Sequence, residues 1–434
     1  MARDLKVSVI GGGSTYTPEL VEGFIENQPE LPVRQLALMD IDEARLEILG
    51  ALARRMVQAA GADIAIETTT DQKKAIDGSD FVVSQIRVGG MAARILDEAI
   101  PPRFGVVGQE TTGPGGFAKA LRTIPVTLRI AQDIQSSAPG AFLLNFTNPA
   151  GLITEALSRY SPVQSIGLCN LPIGMEMRLS QRLGVNRSRL RLDWVGLNHL
   201  NWTRRVFLDG EDVWDRVFAG EVQEARRAEG DGWGFPPDLL EALGMIPCGY
   251  LNYYYNHDRM LAKQKAAPHS RGEEVRKIED QLMEMYRNPE LREKPKLLEK
   301  RGGAYYSKAA VSLISAIAND KDEVHIVNTR NRGAIPDLPD DVVVEVPSRI
   351  GRAGARTLKT DPLPPEIRGL VQAVKAYEEL TVVAGAEGDR RRALQALQAH
   401  PLVPSFDAAQ GLLDELLAAH RAHLPQFFAG GSGG

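Results

Sequence analysis

The feature that most constrains this chain is an apolar run that ends on glycines. Leu5-Lys6-Val7-Ser8-Val9-Ile10 reads as a short buried strand, Gly11-Gly12-Gly13-Ser14 as a tight turn, and the segment from Pro18 as a helix. Strand, glycine turn and helix in that order open a βαβ unit, whose helix N-terminus presents backbone N–H groups to a pyrophosphate. The GxGxxG fingerprint is partial: Gly11 and Gly13 are present, but Tyr16 stands where a third glycine would be. A second apolar strand, Gln35-Leu36-Ala37-Leu38-Met39, ends at Asp40, a carboxylate placed to accept the ribose hydroxyls of an adenosine and to disfavour a 2′-phosphate. Gly11, Gly12, Gly13, Ser14 and Asp40 thus form a candidate site for NAD rather than NADP. The plainer alternative is a structural glycine turn.

Asp42 is an N-cap for an amphipathic stretch that runs to Gly61. Phe81-Val82-Val83 and Phe142-Leu143-Leu144 read as further buried strands, with a periodic helix from Ala118 to Ile134 between them. Strands alternating with helices predict an α/β fold, a Rossmann-like doubly wound parallel sheet. The pattern changes near residue 190. Arg191 to Leu208 reads as one or two strands, and helix-like segments then dominate, around 250–264, 270–287, 304–319, 365–384 and 405–423. The expected organisation is a nucleotide-binding domain over 1–190, a second mixed α+β, helix-rich lobe over 191–428 for substrate and oligomer contacts, and a flexible tail over 429–434. Arg390-Arg391-Arg392 reads as a solvated helix face.

A chain of 434 residues is long enough for two such lobes, and 43% hydrophobic against 25% charged residues is ordinary for a folded soluble protein. A net charge of -5 leaves no basic excess for phosphate backbones, so nucleic acid is not an expected partner. Two cysteines, Cys169 and Cys248, are too few for a disulfide framework. The N-terminal residues lack the apolar core of a signal peptide, and no apolar run is long enough to cross a bilayer. A cytoplasmic protein without membrane attachment is the expectation.

Several residues stand where ligands gather in such sheets. Cys169 follows the strand-like Ser165-Ile166-Gly167-Leu168, and His199 ends Trp194-Val195-Gly196-Leu197-Asn198. A thiolate and an imidazole brought together can hold a metal and leave positions open for substrate oxygens. Each is equally readable as a core residue, and the ligand types suit zinc or iron as well as manganese. Asn145-Phe146-Thr147-Asn148-Pro149 lies at a strand-to-helix junction, fit either for gripping a polar ligand or for a structural turn. Gly89-Gly90-Met91-Ala92-Ala93-Arg94 and the segment from Gly105 to Gly116 read as glycine-rich connections, ordinary loops or covers for a cofactor. The run Tyr250-Leu251-Asn252-Tyr253-Tyr254-Tyr255 reads by itself as aromatic helix packing.

Taken together, Val9-Ile10-Gly11-Gly12-Gly13-Ser14, Asn145-Phe146-Thr147-Asn148-Pro149, Cys169-Asn170-Leu171-Pro172 and Gly196-Leu197-Asn198-His199 resemble glycoside hydrolase family four, a likeness that extends to Ser270-Arg271-Gly272-Glu273-Glu274. The resemblance implies a glycosidase that uses NAD and a divalent metal, usually Mn²⁺, in place of two catalytic carboxylates. In that chemistry NAD⁺ takes hydride from sugar C3, a tyrosinate removes the acidified C2 proton, and the C1–O bond breaks by elimination. Water then adds and the hydride returns. Carried over, Cys169 and His199 match the metal ligands and Tyr250 the C2 base. Arg94 and Asn148 match substrate contacts, and Arg271 the arginine that meets the sugar phosphate.

Members acting on α-linked phosphoglucosides resemble Cys-Asp-x-Pro after the metal-binding cysteine, the Asp serving as proton donor. Here Asn170 stands in that place, and an amide cannot act as that acid. The resemblance therefore implies the 6-phospho-β-glucosidase branch, with a phosphorylated disaccharide or aryl glucoside as substrate and a homodimer or homotetramer as the assembly. Two rival readings are a 2-hydroxy acid dehydrogenase, which shares the nucleotide-binding lobe, and a catalytically silent NAD- or sugar-phosphate-binding regulator.

Overall fold

Each strand expected in the first 190 residues forms, and all lie side by side. The computed structural model describes residues 4–227, 234–302 and 305–428. β1 (Leu5–Ile10), β2 (Val33–Met39), β3 (Ala65–Thr69), β4 (Phe81–Ser84), β5 (Phe142–Asn145) and β6 (Ser165–Gly167) stand in the order β3-β2-β1-β4-β5-β6, all parallel. The chain moves outward from β1 through β2 and β3, then returns to β4 on the other side of β1. That reversal opens a crevice at the C-terminal ends of β1 and β4, where open α/β sheets take their ligands.

Alternation along the strands covers both faces. Val7 and Val9 join Leu36, Leu38, Val83 and Leu144 in one apolar layer, beneath the helices Thr17–Glu26, Glu43–Ala60 and Tyr306–Ala318. Ile10, Ala37, Met39, Val82 and Leu143 join a second layer, beneath the helices Gly113–Ser137, Ala150–Tyr160 and Pro365–Glu387. Period-two side chains on a sheet sandwiched by helices give strands that are apolar throughout, as the sequence shows. Asp42 caps the helix Glu43–Ala60 through Arg45 N, and Gly61 ends it in the left-handed conformation at φ 62°.

β7 (Leu190–Leu197) and β8 (Leu200–Leu208) form an antiparallel hairpin, joined by β9 (Glu211–Asp212) and β10 (Ile246–Pro247) in a smaller second sheet. The change near residue 190 therefore marks the end of the parallel strands. Residues 191–428 nevertheless return to the first sheet, because β11 (Glu323–Arg330), β12 (Val343–Gly351) and β13 (Gly354–Thr357) add three antiparallel strands beside β6. Sequence patterning gave no expectation of these strands. β11 and β12 carry Asn328 and Glu345 at buried positions, which breaks the apolar pattern of a central strand.

The stretch Gly90–Ala99 is a helix rather than a connection, with Gly89 at its N-cap at φ 81°. The segment expected as one helix over 250–264 is a 3-10 turn, Gly249–Leu251, followed by Asn252–Tyr255 and His257–Ala266 with a break at Asn256. Arg390, Arg391 and Arg392 are exposed on the first turn of Arg390–Ala399, as a solvated face should be. The expected tail, 429–434, lies outside the described residues. No described helix is long and apolar enough to cross a membrane.

Candidate active site

The glycine turn folds back against β2. Gly11 N and Gly12 N both donate to Met39 O, at 2.9 and 2.7 Å. Gly11 sits at φ +95°, and a Cβ there would lie 2.8 Å from Gln85 O; a side chain would be excluded on both counts. Gly13 N donates to Asp40 Oδ2 at 2.8 Å, and Asp42 N to Asp40 Oδ1 at 3.0 Å. Two amides thus orient the Asp40 carboxylate at the end of β2 and leave lone pairs for hydroxyl donors. Ser14 closes the turn, donating from its N to Gly11 O at 3.0 Å. Tyr16, in the place of the missing third glycine, stacks on Tyr306 with 5.3 Å between centroids, and the Arg301 guanidinium lies 4.0 Å from its ring. The position is used to pack a later helix instead of a close helix–strand approach.

At the far end of β6, Cys169 caps the helix Asn170–Leu183 with extended backbone, and His199 is the second residue of the turn between β7 and β8. His199 has φ 63°, a left-handed conformation that costs a non-glycine residue about 1–2 kcal/mol. The result brings Cys169 Sγ and His199 Nε2 to 3.4 Å. His199 Nδ1 lies 3.0 Å from Thr111 Oγ1, whose own proton goes to Gln109 Oε1 at 2.9 Å. Thr111 therefore accepts from Nδ1–H, which leaves the Nε2 lone pair facing the sulfur, the tautomer a metal ligand requires. Burial pushes His199 down to about 3, and pushes the Cys169 thiol well above its usual range with Glu345 adding to the effect. A cation between the two reverses the second shift, because it favours the thiolate. The pair fits a divalent ion completed by ligands from outside the chain: among the described residues no group of three or more His, Cys, Asp or Glu side chains suited to a metal occurs.

Tyr250 lies flat on the His199 ring, with centroids 3.8 Å apart and planes 8° from parallel. Among the described ring contacts of Tyr250, Tyr253, Tyr254 and Tyr255, only that of Tyr250 reaches His199. Burial, then the nearby Cys169, Tyr253 and Glu110, hold its phenol above the ordinary tyrosine range. Asn148, at the end of β5 beside a cis bond to Pro149, has a buried Oδ1 with no hydrogen-bond donor. An orphaned buried acceptor just beyond β5 is suited to a ligand hydroxyl.

Arg94 is buried on the helix Gly90–Ala99. Its Nε donates to Glu98 Oε1 at 2.9 Å and its Nη1 stands 3.0 Å from Glu110 Oε1. Glu110 also meets Arg87 and, at 2.8 Å, Lys119 Nζ. Burial alone would raise the Glu110 carboxyl, but Arg87, Lys119 and Arg94 outweigh it and hold it well below the usual range. Arg87, Arg94 and Lys119 thus converge on two carboxylates, Glu98 and Glu110. Arg271 opens the helix Arg271–Arg287 and is half-exposed, donating to Glu274 Oε2 at 3.2 Å and Lys300 O at 3.1 Å. Its neighbour Gly272 donates from N to Glu98 Oε2 at 2.6 Å, which ties this helix to the partner of Arg94. The Arg271 side chain is thus near the Arg94 cluster and is not brought onto Cys169, His199 or Tyr250. Asn170 follows Cys169 directly and lines a cavity of about 260 Å³ with Leu171, Met175, Arg178, Trp194 and Tyr305.

Sequence reasoning did not single out Gln109, Glu110, Thr111 or Lys119. The first three lie in the Gly105–Gly116 segment, read as a whole as an ordinary loop or a cover for a cofactor. It also passed over Glu345, although a lone carboxylate in Val342-Val343-Val344-Glu345-Val346 is a visible signal of a buried charge. Burial lifts that carboxyl to about 7 against the pull of Asn198, Asn328 and Trp194, which donate to it.

A glycine turn at a β1/β4 switch point, with a thiol, an imidazole and a phenol brought together beyond the strand ends, defines an α/β enzyme of the dinucleotide-binding type. The chain belongs to glycoside hydrolase family 4. Residues 6–185 match the Family 4 glycosyl hydrolase model and residues 194–403 its C-terminal domain. It is 49% identical to a Probable 6-phospho-beta-glucosidase of Bacillus subtilis, over 99% of each chain. It is 41% identical to a 6-phospho-beta-glucosidase of Escherichia coli, over 98% of each. The solved 6-phospho-beta glucosidase of Thermotoga maritima with manganese, NAD+ and glucose-6-phosphate superposes with a TM-score of 0.90 at 36% identity, covering 96% of this chain and 99% of that one.

Proposed function

We propose that this protein hydrolyses 6-phospho-β-glucosides. The observation that carries the proposal is the cluster of Cys169, His199 and Tyr250 at the edge of a dinucleotide-type sheet, with His199 in the tautomer that frees Nε2. NAD⁺ at Gly11, Gly12, Gly13, Ser14 and Asp40 would supply a hydride acceptor, and Mn²⁺ or another divalent ion on Cys169 and His199 would supply Lewis acidity beside it. The complex of the Thermotoga maritima relative supports both assignments.

The chain's own residues account for the rest. Tyr250 is the base for the sugar C2 proton, and its phenol, raised by burial, needs a neighbouring cation to ionise near neutral pH. Asn148 accepts from a sugar hydroxyl through its orphaned Oδ1, and Arg94 orients the sugar from a buried, two-carboxylate anchor. Arg271, half-exposed on the first turn of its helix, suits the 6-phosphate. Asn170 holds the position next to Cys169 without an acidic proton, so the leaving group takes its proton from water or another group. That absence is the basis for assigning β-linked substrates. On this reading residues 1–190 bind the dinucleotide, 191–428 complete the substrate site and the oligomer contacts, and the protein works as a homodimer or homotetramer in the cytoplasm.

The test is hydrolysis of p-nitrophenyl β-glucoside 6-phosphate with NAD⁺ and Mn²⁺, repeated without each, with the α-anomer and with the unphosphorylated sugar. Turnover that needs both cofactors, the phosphate and the β-anomer is expected. Turnover of the α-anomer alone overturns the inference from Asn170, and no turnover in any combination overturns the substrate assignment.

A further inference from the structure

Glu345 is a fully buried carboxylate on β12 with no ion-pair partner among the described residues. Four neutral donors surround it. Asn198 Nδ2 and Asn328 Nδ2 each stand 3.0 Å from Oε1, while Asn201 Nδ2 stands 2.7 Å and Trp194 Nε1 3.2 Å from Oε2. Burying a carboxylate without a counter-ion is costly, and donors converging from three strands indicate a built site.

Two of those donors frame His199. Asn198 precedes it in the turn, and Asn201 follows it and also donates to Leu197 O at 3.2 Å, closing the same turn. A third donor, Asn328, is paired across the sheet with Gly167, two residues before Cys169. One carboxylate therefore joins the backbone that carries the imidazole to the strand that carries the thiol.

We propose that Glu345 is a positioning residue for the Cys169–His199 pair, locking from behind the left-handed turn that aims the imidazole at the sulfur. This rests on the reading of that pair as a metal centre.

The experiment is titration of the full-length protein with Mn²⁺, with free Mn²⁺ followed by electron paramagnetic resonance. Glu345→Gln is expected to weaken Mn²⁺ binding about 10- to 100-fold, the usual effect of removing a partner behind a metal ligand. Trp194→Phe removes a donor to the same carboxylate that lies outside the His199 turn, and it should change Mn²⁺ affinity less than about threefold. Should Glu345→Gln fail to fold, Asn201→Ala decides: it removes the donor that also closes the His199 turn while the carboxylate stays, and a loss clearly larger than that of Trp194→Phe is expected. Mn²⁺ affinity unchanged in folded Glu345→Gln or in Asn201→Ala, or an equal loss in Trp194→Phe, overturns the positioning role alone. Wild-type protein that takes up no Mn²⁺ overturns the metal centre together with it.

Discussion

Replacing Glu110 by Gln keeps the shape of the side chain and removes the charge that holds Arg87, Arg94 and Lys119 together. Removing one partner of a buried pair costs about 3–5 kcal/mol. Two features place this case at the low end. Arg94 keeps Glu98, 2.9 Å from its Nε. Lys119, pushed down to about 7 by burial and by Arg87, sheds its proton near neutral pH and does not remain an unpaired ammonium. Arg87 has no such escape, because a guanidinium stays protonated. The expected loss is therefore about 3 kcal/mol, which corresponds to a fall in Tm of about 3 °C for a chain of this size. Thermal unfolding at pH 7 of wild type, Glu110→Gln, Lys119→Met and the double variant measures it. In the double variant the loss from Glu110→Gln should shrink by about 1 kcal/mol, since one cation of the three has gone. A drop below about 1 °C, or a loss that is the same in the Lys119→Met background, refutes the view that Glu110 is the organising charge.

Three further outcomes follow from the same geometry. Tyr250→Phe should abolish exchange of the substrate C2 proton in heavy water and lower turnover at least about 100-fold, with NAD⁺ binding retained; unimpaired exchange would reassign the base. Arg271→Ala should raise KM for phosphorylated glucosides about 10- to 100-fold with little change in kcat, and an equal loss on unphosphorylated glucosides would remove its phosphate role. Buried His400, held down to about 3 by burial, takes up its proton in the unfolded chain near the ordinary histidine value of 6.5, so stability is present above pH 6.5 and is lost as pH falls toward 3. His400→Asn, whose Oδ1 can accept from Leu402 N as Nδ1 does at 3.1 Å, should lose about 2 kcal/mol less than wild type between pH 6 and 4.5 in urea titrations.

What could be read in advance was local in origin. Val7 and Val9, the glycines at 11–13, Asp40 and the cap Asp42 each announce their role within a few residues, because a buried parallel strand, a tight turn and a helix start are set by near neighbours. Cys169 and His199 could be placed at strand ends for the same reason, though not beside each other. Their contact spans 30 positions of sequence and depends on a parallel sheet and a separate hairpin meeting. Tyr250 was distinguishable from three neighbouring tyrosines only by resemblance. What selects it physically is the 3-10 turn Gly249–Leu251, which a helical periodicity reading smooths away. β11 and β12 are hidden in the sequence because Asn328 and Glu345 interrupt their apolar pattern, and Asn328 reaches Glu345 only once the strands have paired. The polar positions that interrupt the apolar pattern are thus those that join the strand before Cys169 to the turn that carries His199. In this chain a departure from the expected pattern, far from the glycine turn in sequence, was the better pointer to the centre of the site.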